Sequence, residues 1–285
     1  MKYWFDKEHY CELKALKNSI EGFTPRRGPY KLFFICAFSN ILKPTSRWLA
    51  KSLKPQIDKN KVPIDVATAF QRQFEFMFKA NLESDLRGIS NVTIVNGNFL
   101  NPNLKKPRVG LVVTSPPYVI SYDYADLHQL STTWLGFAED YRSLRKGAIG
   151  SRYTGPISDI LMQKLNETGA RIVKELTSKS KDRAQDVARY FIDMQKVTDV
   201  AYDMLETPGM AIFVIGNTEY KGIRIDNARH LAESMNWSGF REIRISKRKI
   251  SNKQLTPFRN SKGRFTTDAN SRNVYAEEFI LVGMR

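Results

Sequence analysis

Apolar positions repeat at helical spacing through the first eighty residues and then gather into short unbroken runs. Tyr3, Phe5, Tyr10, Leu13, Leu16 and Ile20 fall on one face of a 3.6-residue period and predict an amphipathic helix over residues 2–20. A loop holding Pro25, Gly28 and Pro29 follows, then a buried helix over 30–42 that has to stop before Pro44. Pro44, Pro55 and Pro63, set among lysines and arginines, make 43–63 irregular, exposed and basic. Residues 66–82 return to the helical period.

Beyond residue 90 the rhythm changes. Runs at 92–95, 109–113 and 210–215 read as strands, and 242–245 with 279–282 as a final pair flanking a polar insertion. The run at 109–113 is apolar throughout, which predicts a strand covered on both faces, as in a parallel sheet. Helices are predicted over 124–137, 159–176, 183–205 and 227–235. The long one carries Val187, Tyr190, Phe191, Met194, Val197, Ala201 and Met204 on one face and is expected to end at Pro208 and Gly209. Strands alternating with helices predict an α/β fold with a mainly parallel sheet. The division follows the rhythm: a helical region over 1–90 and an α/β portion over 91–285, with a basic insertion at 247–275.

Composition narrows the function. The most apolar stretch, 32–38, is far too short to span a bilayer, and Asp6 and Glu8 sit where the apolar part of a signal peptide would begin, so a cytoplasmic protein is expected. Cys11 and Cys36 form no metal or disulfide pattern and read as small buried hydrophobes; His9, His128 and His230 are too dispersed for a zinc site, and no metal is expected. Charge adds more. Lys and Arg number 45 against 29 Asp and Glu, a net +16 in 285 residues, which draws polyanions and points to nucleic acid.

The chemistry concentrates at Thr114-Ser115-Pro116-Pro117-Tyr118, directly after the strand at 109–113. Ligand sites in open α/β sheets form beyond the carboxyl ends of strands. Two prolines fix their own φ and restrict the residue before each, giving a rigid turn with carbonyls aimed in set directions and an aromatic ring beside it. A base amino nitrogen is a poor nucleophile because its lone pair is delocalised into the ring. Fixed acceptors for both of its N–H groups, from the Ser115 hydroxyl and the Pro116 carbonyl region, would free that pair, and Tyr118 would stack on a flipped base.

Here the sequence resembles the amino-methylating DNA methyltransferases, whose catalytic motif is (Asp/Asn/Ser)-Pro-Pro-(Tyr/Phe/Trp). The Ser form, here Ser115 to Tyr118, is typical of the N4-cytosine enzymes. Tyr122-Asp123-Tyr124, His128 and Trp134-Leu135-Gly136 look like the family's next helix, Ile149-Gly150-Ser151-Arg152 like its next loop, and Val214-Ile215-Gly216-Asn217-Thr218 like its following strand and turn. Upstream, Ser52-Leu53-Lys54-Pro55 and 92–99 also fit, so the resemblance covers nearly the whole chain. It implies Ser115, Pro116, Pro117 and Tyr118 as catalytic residues and S-adenosylmethionine as methyl donor. It also implies a Rossmann-like sheet of order 3-2-1-4-5-7-6 and a role in a restriction-modification or similar defence system. C5 methylation would need a cysteine nucleophile in a suitable turn, and neither cysteine has one.

One part of the family pattern is missing. The glycine-rich cofactor loop after the first strand, of the form Asp-Pro-Phe-x-Gly-x-Gly, has no match, and strands 1 and 2 have no candidates. The chain thus looks like the carboxyl-terminal part of such an enzyme with an incomplete sheet, and a second polypeptide is expected to supply the loop. That leaves the edge of the 109–113 strand apolar and exposed. Cofactor contacts are expected from Asn98, Phe99 and Thr114, although Asn98 reads equally well as a turn former. DNA contacts are expected from Arg152 and from Lys247, Arg248, Lys249, Arg259, Lys262 and Arg264 of the insertion, where Phe258 and Phe265 are interleaved; a solvated loop is the plainer reading of the same charges. The function expected is N4-cytosine methylation of DNA. N6-adenine or RNA amino methylation, and a non-catalytic nucleic-acid-binding subunit or degenerate remnant, are the alternatives.

Overall fold

The computed structural model describes residues 3–23, 28–50, 52, 54–84, 91–120, 123–151, 153, 155–250, 258–260, 265–266, 268, 270–273 and 277–285. The chain forms two compact units, one of residues 1–94 and 122–144, the other of 95–121 and 145–285.

The first unit is helical: α1 (Lys7–Phe23), α2 (Pro29–Ile41), α3 (Val66–Glu83), α4 (Tyr124–Leu127) and α5 (Gln129–Trp134). Helix α1 starts later than its apolar period suggests, because Asp6 Oδ1 accepts from the His9 N–H at 2.9 Å and sets the helix start there. Pro29 opens α2, and the Asp65 carboxylate caps α3 by accepting from the Thr68 N–H at 2.7 Å. The core joins Trp4, Leu13, Phe38, Ile41 and Trp48 to Leu130 and Trp134. Trp4 stacks on Trp48 with centroids 4.9 Å apart, and its indole N–H donates to Gln129 at 3.1 Å. The segment after the Pro-Pro turn therefore builds the helical unit, and the expected boundary near residue 90 is replaced by a discontinuous one. The predicted helix over 124–137 is broken at His128 into two short ones. Cys11 and Cys36 are exposed rather than buried, each on the outer side of its helix.

The second unit holds a four-stranded sheet of β1 (Val109–Thr114), β2 (Leu205–Ile215), β5 (Arg241–Lys249) and β9 (Glu277–Met284), in the order β1-β2-β9-β5. Strands β1 and β2 are parallel, and β9 runs antiparallel to β2 and β5. On one face Ala211, Phe213, Ile215 and Leu281 bury against α7 (Glu167–Thr177), α8 (Lys181–Met204) and α9 (Asn227–Ser238), through Ile172, Phe191, Leu231 and Met235. Helix α8 ends at Met204 and β2 begins at once, so Pro208 and Gly209 lie within the β2 span and do not end the helix. The predicted 159–176 helix is two, α6 (Asp159–Met162) and α7, because Asn166 turns the chain and caps α7 at the Gly169 N–H, 2.8 Å away. Gly239 closes α9 at φ +104°, where a Cβ would lie 3.1 Å from the Tyr202 ring.

Two expectations about strands fail. The 92–95 run forms no strand and pairs with none among the described residues, and Val92 and Ile94 are 76% and 90% exposed: β-branched residues favour a strand, but a strand needs a ladder partner. Strand β1 is not covered on both faces, since Leu111 and Val113 are 49% and 62% exposed. In the insertion, β6 (Phe258–Arg259) pairs with β7 (Phe265–Thr266) and β8 (Arg272–Asn273) in a small antiparallel sheet. A hairpin of β3 (Thr218–Tyr220) and β4 (Ile223–Ile225) follows β2.

Candidate active site

The Pro-Pro turn sits where two parallel strands end side by side. Thr114 is in register with Phe213, so the turn after β1 lies beside the last residues of β2. Three contacts fix it. The Ser115 hydroxyl donates to the Val214 carbonyl at 3.1 Å. The Tyr190 hydroxyl, from α8, donates to the Pro117 carbonyl at 2.8 Å. The Tyr118 ring lies over Gly216, where an added Cβ would come within 3.5 Å of its Cε2. Pro116 and Val119 are buried, whereas Ser115 stays exposed. Ile120 then takes φ +59°, a left-handed conformation costly for a β-branched residue, and marks local strain directly after the turn.

The neighbouring β2 turn is held as firmly. Asn227 Nδ2 donates to the Gly216 carbonyl at 2.8 Å, Asn217 Nδ2 to Asp226 at 2.7 Å, and the Ala228 N–H to Asn217 Oδ1 at 2.9 Å. Helix α9 thereby sets the position of the surface on which Tyr118 rests. Helix α8 reaches a second loop: Gly150, at φ +68°, packs on Tyr190 and donates its N–H to Asp193 at 2.9 Å, and Arg189 bonds the Gly155 carbonyl. Behind these helices His230 is buried and stacked on Phe191 at 3.9 Å, and burial pushes its pKa down to about 3, so it is neutral and structural.

The expected site residues divide. Ser115, Pro116, Pro117, Tyr118 and Thr114 come together at the strand ends. Asn98 is a turn former: its Oδ1 accepts from the Leu100 N–H at 2.9 Å, and its Nδ2 donates to the Gly147 carbonyl at 2.9 Å. Phe99 packs against the sheet core. On β5, Lys247 pairs with Glu277 at 2.6 Å and Arg248 pairs with Glu278, so part of that charge is answered within the sheet, while Lys249 is exposed. Arg259 lies in β6, and its side chain, with Arg152, Lys262 and Arg264, is outside the described residues. The sequence reading gave no site role to Tyr190, Asn217 or Asn227. Tyr190 showed only as one apolar member of a helix face; the value of its hydroxyl depends on a carbonyl 73 residues away.

These residues do not complete a pocket for S-adenosylmethionine. Thr114 lies at the strand end, but Asn98 uses both ends of its amide in backbone bonds, to Leu100 and to Gly147, and no glycine-rich loop stands beside β1 among the described residues. Among the described residues no cluster could hold a metal ion, and no helix is long and apolar enough to cross a membrane.

No family model and no solved structure matches the chain. A search of curated proteins finds the Type II methyltransferase M.MvaI of Kocuria varians, 25% identical over 280 residues, with 91% of this chain and 61% of that protein covered. The chain is similar to a methyltransferase. It spans about three-fifths of the length of that relative.

Proposed function

We propose that this chain is the catalytic portion of a DNA methyltransferase that methylates the exocyclic N4 amino group of cytosine, in a restriction-modification or similar defence setting. Similarity to M.MvaI over most of the chain supports methyl transfer, the +16 charge supports a nucleic-acid substrate, and the Ser-Pro-Pro-Tyr form of the turn supports cytosine. The observation that carries the reading is the Ser115 hydroxyl. It directs its proton to Val214, so only its lone pairs face outward, which makes an acceptor of a residue that could otherwise donate. An acceptor is what an amino N–H requires.

In this reading Ser115 and the Pro116 carbonyl region accept the two amino N–H bonds and draw the nitrogen lone pair out of conjugation with the ring. Pro116 and Pro117, locked from behind by Tyr190, keep those acceptors from following the base as it moves. Tyr118, backed by Gly216, offers a stacking face for a flipped base. S-adenosylmethionine is the donor that the resemblance implies, and it supplies an electrophilic methyl group. Lys249 and the insertion sheet contact phosphate.

The test is nucleoside mass spectrometry of DNA incubated with S-adenosylmethionine and the protein isolated from its native cells, as wild type and as Tyr118→Ala. N4-methylcytosine from the wild type and its loss in the variant are expected. N6-methyladenine would reassign the base. Methylation that survives Tyr118→Ala would make the chain a non-catalytic nucleic-acid-binding subunit.

A further inference from the structure

The proposed reaction gives no task to Gly150, yet three features of the fold converge there. Gly150 takes φ +68°, and a Cβ added to it would lie 3.0 Å from both Cβ and Cδ2 of Tyr190, so the loop backbone rests directly on that side chain. Its N–H donates to Asp193 Oδ2 at 2.9 Å. Tyr190 and Asp193 are three residues apart on α8 and share a face of the helix. Tyr190 is 3% exposed, and its hydroxyl donates to the Pro117 carbonyl at 2.8 Å. The contacts form a chain: Asp193 holds Gly150, Gly150 packs on Tyr190, and Tyr190 holds the Pro-Pro turn. The hydroxyl lies at the far end of its side chain, so a small rotation about χ1 carries it out of hydrogen-bond range of Pro117. Backbone packed against the Cβ and the ring removes the freedom for that rotation. The far end of the same loop is held separately: Gln185, eight residues before Asp193 on α8, accepts from the Ile157 N–H at 2.8 Å.

We propose that Asp193 is a positioning residue for the Pro-Pro turn, acting through Gly150 and Tyr190 and touching no substrate. The inference rests on the proposed methyl transfer at Ser115 and the Pro116 carbonyl region. Acceptors that free an amino lone pair work only while they stay in place, so the side chain that fixes them must itself be fixed. Tyr190 cannot supply that alone, because its hydroxyl bond to Pro117 is as free as its own rotamer. Asp193 supplies it by tethering the backbone that packs on the ring. What the tether needs is an acceptor at that point, and the amide oxygen of asparagine meets the need as a carboxylate oxygen does. A residue that merely held a surface loop would change stability and leave turnover alone. A positioning residue lowers kcat and leaves KM, because the groups it displaces act on the transition state.

The experiment has two arms, both on protein isolated from its native cells. In the first, kcat and KM for DNA are measured for wild type, Asp193→Ala, Asp193→Asn, Gly150→Ala and Gln185→Ala, and for Tyr190→Phe with and without Asp193→Ala. Asp193→Ala should lower kcat about five- to tenfold and leave KM within about twofold. Asp193→Asn should restore kcat, and Gln185→Ala should keep it. Gly150→Ala, which loads Tyr190 from the loop side, should lower kcat with Asp193 intact. The double variant should be no slower than the slower single one, because both substitutions break the same chain of contacts. In the second arm, hydrogen exchange by mass spectrometry follows the peptide spanning residues 114–121 and needs no turnover. Exchange there should quicken about fivefold in Asp193→Ala and Gly150→Ala and stay unchanged in Gln185→Ala. The proposal is overturned if exchange in that peptide does not change in Asp193→Ala or Gly150→Ala, if kcat holds in either, if asparagine fails to restore it, if Gln185→Ala loses as much, or if the losses multiply in the double variant. A wild type that makes no methylated nucleoside would sink the reaction, and exchange alone would then decide the coupling. An active wild type with unchanged variants would sink the coupling and leave the reaction standing.

Discussion

Replacing His230 with phenylalanine isolates a pH dependence that the fold imposes on the sheet-bearing unit. The imidazole is buried, lies against the Phe191 ring at 3.9 Å, and its Nε2 has no hydrogen-bond partner among the described residues. Burial lowers its pKa to about 3 from the ordinary value of 6.5. Between those values the unfolded chain binds a proton that the folded chain refuses, so stability rises with pH there. The contribution is fully present above pH 6.5 and drains away as pH falls toward the folded value. One pH unit is worth about 1.4 kcal/mol, so at pH 5 the loss attributable to His230 is about 2 kcal/mol, a large share of the 5–15 kcal/mol typical of a domain. Phenylalanine keeps the stack and removes the titration. Any packing change it causes is constant with pH, so it cancels from the slope. Urea unfolding followed by circular dichroism at pH 7.5, 6.0 and 5.0 should show the stability of wild type relative to His230→Phe falling by about 2 kcal/mol across that range. A difference that stays constant would refute a buried neutral His230.

Three other outcomes are expected. Asn166→Ala removes the α7 cap and two donor bonds, to the His230 carbonyl at 2.9 Å and the Ser234 hydroxyl at 3.1 Å, and should cost about 2–4 kcal/mol in the same unfolding assay. Tyr190→Phe deletes only the hydroxyl on the Pro117 carbonyl: stability should fall by about 1 kcal/mol, and steady-state kinetics should show kcat dropping while KM for DNA holds. Lys247→Glu with Lys249→Glu should weaken DNA binding at low salt, and fluorescence anisotropy across a salt series should give a log–log slope shallower by about 0.9 for each phosphate no longer neutralised. An unchanged slope would place the DNA elsewhere.

Where residues near in sequence decide the outcome, the chain was readable. The periods of α2, α3, α8 and α9 match the helices, the runs at 109–113 and 210–215 are strands, and the Pro-Pro turn lies at the strand end expected of it. The errors arose where a second element has a vote. The 92–95 run has strand composition and no partner among the described residues. Apolar content suggested that β1 was buried, but composition cannot say whether a neighbour is present to bury it. The predicted helix over 124–137 falls by its place in sequence in the α/β portion, yet Leu130 and Trp134 find their burial with Trp4 and Phe38.

The local periods, the rigid turn at Ser115 to Tyr118 and the excess of positive charge were all present in the order and kinds of residues, because each depends on the stereochemistry of neighbours or on simple summation. Long-range packing settled the rest: which carbonyl receives the Ser115 proton, that Tyr190 locks Pro117, that Glu277 and Glu278 answer charges of β5, and that Leu111 and Val113 of β1 stay exposed. Those facts join residues tens of positions apart, and hydrogen bonding and burial are set by distance in space, which no local pattern encodes.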